Sequence, residues 1–186
     1  SLAQANKSCD NSNKSLSQLV LASKNLNNAY DIFNNDKNSK KYVPSVFTSF
    51  RQCVNKTNDQ FSKDFIKSNF VKILLKNNDN SKAVGITERM ETDIFKIHAA
   101  AEIRDSQGKF DKKTFLTLLK RSKKLEKQNQ EISALYLTNK LMKNEINPYE
   151  NSLFKYLPIE VKSNGLACGD KHDYYSTLGI NHLFLS

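Results

Sequence analysis

The chain has 186 residues and a mass of 21.2 kDa, a length for one domain or at most two small ones. Apolar residues make up 38%, enough for a core, while 5 glycines and 3 prolines exclude collagen-like and linker-like classes. No run approaches the ~18 uninterrupted apolar residues of a spanning helix, which excludes a transmembrane segment of that kind.

The formal net charge of +10 comes almost wholly from lysine, with 25 Lys against 4 Arg. Asn is also abundant at 22 residues. Both residue types have A/T-rich codons, so part of the basic balance reflects composition bias. Arginine supplies the planar fork that reads guanine and phosphate in two-point fashion, and its scarcity argues against sequence-specific nucleic-acid binding. Non-specific attraction to polyanions or a membrane surface needs only charge and stays open. The densest basic cluster is Lys120, Arg121, Lys123, Lys124 and Lys127, which reads first as a solvated helix face.

In chain order, residues 1–14 are polar and low in complexity, and read as a flexible leader. Within it, Ala3-Gln4-Ala5 has the small-x-small form of a signal-peptidase site, without a hydrophobic region before it. Ser15-Leu16-Ser17-Gln18 has capping-box form, and Leu19, Ala22, Leu26, Ala29, Tyr30 and Phe33 then recur at helical spacing over about 15–34. Pro44 suits the first turn of a second helix striped by Val46, Phe50, Cys53, Thr57 and Phe61. That stripe drifts through Phe65, Ile66, Phe70, Ile73 and Leu74, which predicts a kink or restart near Asn55–Asn58. A hairpin pairing 70–75 with 83–86 across Asn77–Asn80 is the alternative for this stretch.

Thr87 reads as the cap of a third helix, with Glu88, Glu91 and Asp93 near its positive end and Met90, Ile94, Ile97 and Ala101 as its stripe. Gln107-Gly108 stops it. Asp111 caps a fourth helix, with Phe110 and Phe115 at hydrophobic-staple positions. No Gly or Pro falls between Lys109 and Ile146, so this helix is expected to exceed 30 residues and to end at Pro148. Beyond it, an apolar terminus (Tyr174, Tyr175, Leu178, Ile180, Leu183, Phe184, Leu185) reads as an extension docked on the helices. The expected fold is therefore all-α: an antiparallel bundle of about four long helices over 15–146, with an irregular C-terminal extension over 147–186.

Chemical groups of catalytic kind are few. His98 and Glu102 stand four apart on one helix face, half of a two-ligand metal site without the other half. Cys168, His172 and His182 provide the residue types of thiol catalysis, in a Gly-flanked segment that matches no local cysteine signature. Paired carboxylates of glycosidase type are not evident, and the phosphate-cradling and nucleophile-elbow motifs are absent. The residues thus define no catalytic centre, cofactor site, metal site or small-molecule ligand.

Three cysteines, Cys9, Cys53 and Cys168, allow three single-disulfide pairings and leave one thiol over. Cys9 and Cys168 look like loop positions, and Cys53 lies on an apolar helical stripe. Sequons at Asn6, Asn13 and Asn55 are expected by chance in so Asn-rich a chain. The reading that follows is a secreted or periplasmic, non-enzymatic helical protein whose partner is another protein: a virulence-associated factor, an immunity or inhibitor protein, or a secretion accessory. The alternatives are a Cys–His hydrolase using Cys168, a lysine-driven polyanion or membrane-surface binder, and, for compartment, the cytoplasm.

Overall fold

A computed structural model describes residues 2–10, 15–148 and 152–157. All regular structure among them is helical, and no strand occurs among them. The all-α expectation holds, but eight α-helices replace the four long ones. The first five are α1 (Leu2–Asp10), α2 (Leu16–Asn35), α3 (Val43–Lys56), α4 (Gln60–Lys76) and α5 (Asn80–Glu88). They are followed by α6 (Asp93–Ser106), α7 (Lys112–Ser122) and α8 (Lys127–Lys143). Short 3-10 turns lie at Lys40–Tyr42 and Phe154–Tyr156. The chain forms two compact units, residues 1–99 and 100–186, whose sequence boundary falls within α6.

In the first unit, α4 is the central helix, packed against α2, α3 and α5. Phe65, Ile66, Phe70, Val71, Ile73, Leu74 and Leu75 are all buried on it. This explains the drifting stripe: a helix covered on several sides carries apolar residues all round instead of along one face. The restart expected near Asn55–Asn58 is present, since α3 ends at Lys56 and Asp59 caps α4, its carboxylate accepting from the Ser62 N–H at 2.8 Å. The 70–86 hairpin does not form. Asn78 takes the left-handed conformation (φ 61°), and the Asp79 N–H donates to Leu74 O at 2.8 Å. That closes α4 in a Schellman turn and leads directly into α5.

Other local signals behave as the residues dictate. Ser15 caps α2, accepting from the Gln18 N–H at 3.3 Å. Pro44 sits in the first turn of α3, and Asp111 caps α7 through the Thr114 N–H at 2.8 Å. Gly108 (φ 64°) ends α6, with the Lys109 N–H donating to Arg104 O at 2.8 Å. Thr87, by contrast, caps nothing. It lies in the last turn of α5, where its hydroxyl donates to Ala83 O at 2.9 Å. Glu88 is therefore at the negative end of α5, and only Asp93 occupies a helix first turn as expected.

Within the stretch expected to be a leader, Leu2–Asp10 form α1. Ala5, Ser8 and Cys9 fall at i, i+3 and i+4 and form a small buried face. Cys9 is bonded to Cys53 of α3, Cα to Cα 5.2 Å. Asn25 of α2 donates to the Ser8 hydroxyl at 2.7 Å. A polar composition concealed a helix whose cohesion comes from small residues and one covalent bond.

In the second unit, the expected single helix beyond Lys109 is two, α7 and α8. Charge weakly disfavours a continuous helix here. Lys120 and Lys124, and Lys123 and Lys127, would face each other at i, i+4 on a continuous helix, and like charges there are destabilising. Ser122 turns inward at the end of α7 and donates to Leu119 O at 2.7 Å. Phe110 and Phe115 are both buried, in keeping with a staple around the Asp111 cap. At the far end of α8, Glu145 adopts φ 61° and the Ile146 N–H donates to Leu141 O at 2.9 Å, so the helix closes before Pro148 in a turn that favours glycine.

Candidate functional site

Among the described residues, two clefts and two polar clusters stand out as features able to do chemistry or recognition. The first cleft belongs to the first unit and encloses about 540 Å³. Its α3 wall is Val43, Pro44, Phe47, Phe50 and Arg51, and its α5 wall is Ser81, Lys82, Gly85 and Ile86, closed by Arg89. Both sets recur at i, i+1 and i+4, so each is one helix face. The floor is the outer edge of an aromatic cluster. Phe50 stacks on Phe70 at 4.3 Å between ring centroids, and Phe47 meets Phe70 edge-on at 5.4 Å and Tyr30 at 5.8 Å. Tyr30 is fully buried, and burial followed by the Asp79 carboxylate, which accepts from its hydroxyl at 3.3 Å, pushes the phenol up to about 12. The floor is thereby rigid and apolar. The rim is cationic: Lys82 pairs with Asp79 at 2.7 Å and lies 4.8 Å over the Phe47 ring, while Arg51 and Arg89 have no ion pair among the described residues.

The second cleft belongs to the second unit and encloses about 620 Å³. Arg104, Lys109, Lys113 and Arg121 line it against one acid, Asp111, which is occupied as the α7 cap. The chain has four arginines, and each cleft takes two of them. Lysine covers the surface generally; arginine is confined to the two concavities.

The polar clusters are structural. Asp64 on α4 is fully buried and accepts from the N–H groups of Glu91 and Thr92 at 2.8 and 2.6 Å, with Gln60 and Lys67 also donating to it. Burial pushes its carboxyl up, but the Thr92 and Glu91 donors outweigh it and hold the group below the ordinary aspartate value. It thus satisfies the N–H groups just before α6. In the second unit, Lys140 of α8 bridges Glu102 at 2.8 Å and Asp105 at 2.7 Å. Tyr136 donates to Glu102, and Asn144 to Asp105 at 2.8 Å. Burial alone would lower the Lys140 ammonium, but the two carboxylates more than reverse that and raise it. A lysine held protonated in this way is a tether, not a nucleophile.

His98 and Glu102 both lie on α6. Glu102 is engaged by Tyr136 and Lys140. His98 is buried, and desolvation, followed by the positive charge of Lys72, pushes its imidazole down to about 3. No group of three metal-ligating side chains occurs among the described residues, and no helix among them is long and apolar enough to cross a membrane. Cys168, His172, His182 and the apolar terminus lie outside the described residues. Lys120, Arg121, Lys123, Lys124 and Lys127 are exposed. The first cleft has no counterpart among the sequence expectations, and its walls come from two separate helices. No family model, curated protein or solved structure matches the chain.

Proposed function

We propose that the chain is a non-enzymatic, exported helical protein that acts by binding another protein. The observation that carries the reading is the Cys9–Cys53 bond, which ties α1 to α3. Such bonds persist in oxidising compartments and are rare where thiols are kept reduced, which supports a secreted or periplasmic site over the cytoplasm. The binding role is supported by the apolar, cation-rimmed cleft of the first unit, and by polar clusters in which every ionised group has a structural partner. The thiol-hydrolase alternative draws no support from Cys9 or Cys53, since both are engaged in the bond.

A test combines fractionation with crosslinking. Cells producing the chain with a photoreactive residue at Ser81 should yield it outside the cytoplasm, with the bond formed and a crosslinked protein attached. Recovery from the cytoplasm with Cys9 and Cys53 both alkylatable would refute the proposal.

The second cleft favours a second reading, the polyanion binder. Four cations against one occupied acid attract phosphate- or sulfate-bearing chains by charge alone. Heparin affinity that falls steeply between low and high salt, and that drops in Arg104→Gln and Arg121→Gln, would establish it; affinity insensitive to salt would refute it.

A further inference from the structure

Glycine inside a helix costs stability relative to alanine, so a helix-interior glycine calls for a reason. Gly85, in the middle of α5, has ordinary helical φ, and a Cβ built on it would meet nothing within 4 Å. Neither backbone strain nor crowding within this unit requires it. What its missing side chain does is open the first cleft down to the α5 backbone, beside Ile86 and opposite Phe47 and Phe50.

We propose that this cleft is a docking site for an acidic peptide segment of a partner protein, whose apolar side chain seats against Phe47, Ile86 and the Gly85 backbone while flanking carboxylates meet Arg51 and Arg89. Charge complementarity selects the occupant. Arg51 stands on the α3 wall and Arg89 beyond the end of α5, so the cleft presents two guanidinium groups, one from each side. A single-headed fatty acid satisfies one of them; a peptide with acids on both sides of its anchor satisfies both. The guanidinium fork matches a carboxylate in two-point geometry, as a lysine does not. The Lys82 ammonium, already bonded to Asp79, caps the Phe47 face and adds positive potential without needing a new partner.

The proposal rests on the protein-binding role above and names the kind of partner. It is tested with the oxidised full chain by selecting from a phage-displayed random peptide library, then titrating a recovered peptide into isotope-labelled protein. Recovered sequences should carry an aromatic or aliphatic anchor flanked by Asp or Glu, and should shift the amides of Phe47, Gly85 and Ile86. Affinity should fall about tenfold or more in Gly85→Leu, which fills the cleft, and separately in Arg51→Gln and Arg89→Gln, which leave its shape. Circular dichroism verifies that each variant is folded. Peptides that bind Gly85→Leu and both Arg variants undiminished, that shift amides elsewhere, or that dodecanoate displaces at lower concentration would overturn the cleft assignment and leave the protein-binding role standing. Recovery of no peptide at all would overturn both.

Discussion

Both units bury apolar and ionic groups, but their main reinforcements differ. The first, residues 1–99, relies chiefly on apolar and covalent cohesion: α4 buried on several sides, four interlocked aromatic rings, and the Cys9–Cys53 bond securing α1. The second, residues 100–186, includes a short ionic lattice in which Lys140 joins two carboxylates of α6 to α8. Apolar burial is non-directional and tolerates rearrangement, whereas a buried ion pair fixes one geometry and is costly to break from one side. The contrast predicts different vulnerabilities.

The largest effect is expected in the first unit. The Cys9–Cys53 bond joins residues 44 apart, and closing a loop of that length removes about 4 kcal/mol worth of unfolded-chain entropy. The double variant Cys9→Ser with Cys53→Ser should lower the denaturant midpoint accordingly. Hydrogen exchange should show α1 and α3 losing protection while α7 and α8 keep theirs. Equal loss in both units would dissolve the contrast.

Next in size is the ionic lattice. Lys140→Met leaves Glu102 and Asp105 without their cation. Because both carboxylates are about a fifth exposed, the cost should be about 2 to 3 kcal/mol, below that of a wholly buried pair. Adding Glu102→Gln and Asp105→Asn removes the stranded charges and should restore much of that loss. A triple variant as unstable as Lys140→Met alone would show that geometry, not charge, is at stake.

Acid should then separate the units. The His98 imidazole is held at about 3 when folded against 6.5 when free, so unfolding takes up a proton below 6.5. Its contribution is complete above 6.5 and is lost as pH falls towards 3, about 2 kcal/mol of it between pH 7 and pH 5. The carboxylates of Asp64 and Asp105, both lowered, contribute fully above 3.8 and lose that contribution only below it. Urea midpoints across pH should fall first through the first unit, and His98→Leu should flatten that limb. A midpoint unchanged between pH 7 and pH 5 would count against the buried neutral imidazole.

The smallest effects are gains. Glu145 occupies a left-handed position, and Glu145→Gly should stabilise the second unit by about 1 kcal/mol. Gly85→Ala should stabilise α5 by about 0.5 to 1 kcal/mol, since the new Cβ enters open space. Thermal melts of the two variants measure both. A Gly85→Ala chain less stable than the parent would mean that the space is not open in solution.

The same contrast explains what the sequence could disclose. Helices with one buried face were legible: α2 from Leu19 to Tyr30, and the caps at Ser15 and Asp111 that satisfy helix ends with one side chain each. Where several faces are buried, as on α4, periodicity vanishes and the helix resembles a strand. Where cohesion is covalent, as at Cys9, polar composition misleads, because α1 buries little beyond Ala5, Ser8 and Cys9. The α7–α8 break has no Gly or Pro to mark it, and the lysines four apart around it oppose a continuous helix only weakly. The cleft was least legible of all: Phe47, Arg51, Gly85 and Arg89 belong to two helices, and neither helix reveals a concavity by itself.

The claim on which the compartment, the order of α1 and the proposed binding role converge is that Cys9 and Cys53 are joined in the native protein. Proteolytic mapping of protein from the producing cells, alkylated before lysis and never reduced, tests it directly. One crosslinked pair uniting the Cys9 and Cys53 peptides, with Cys168 outside it, is the expected result. Free, alkylated Cys9 and Cys53, or either of them bonded to Cys168, would contradict it.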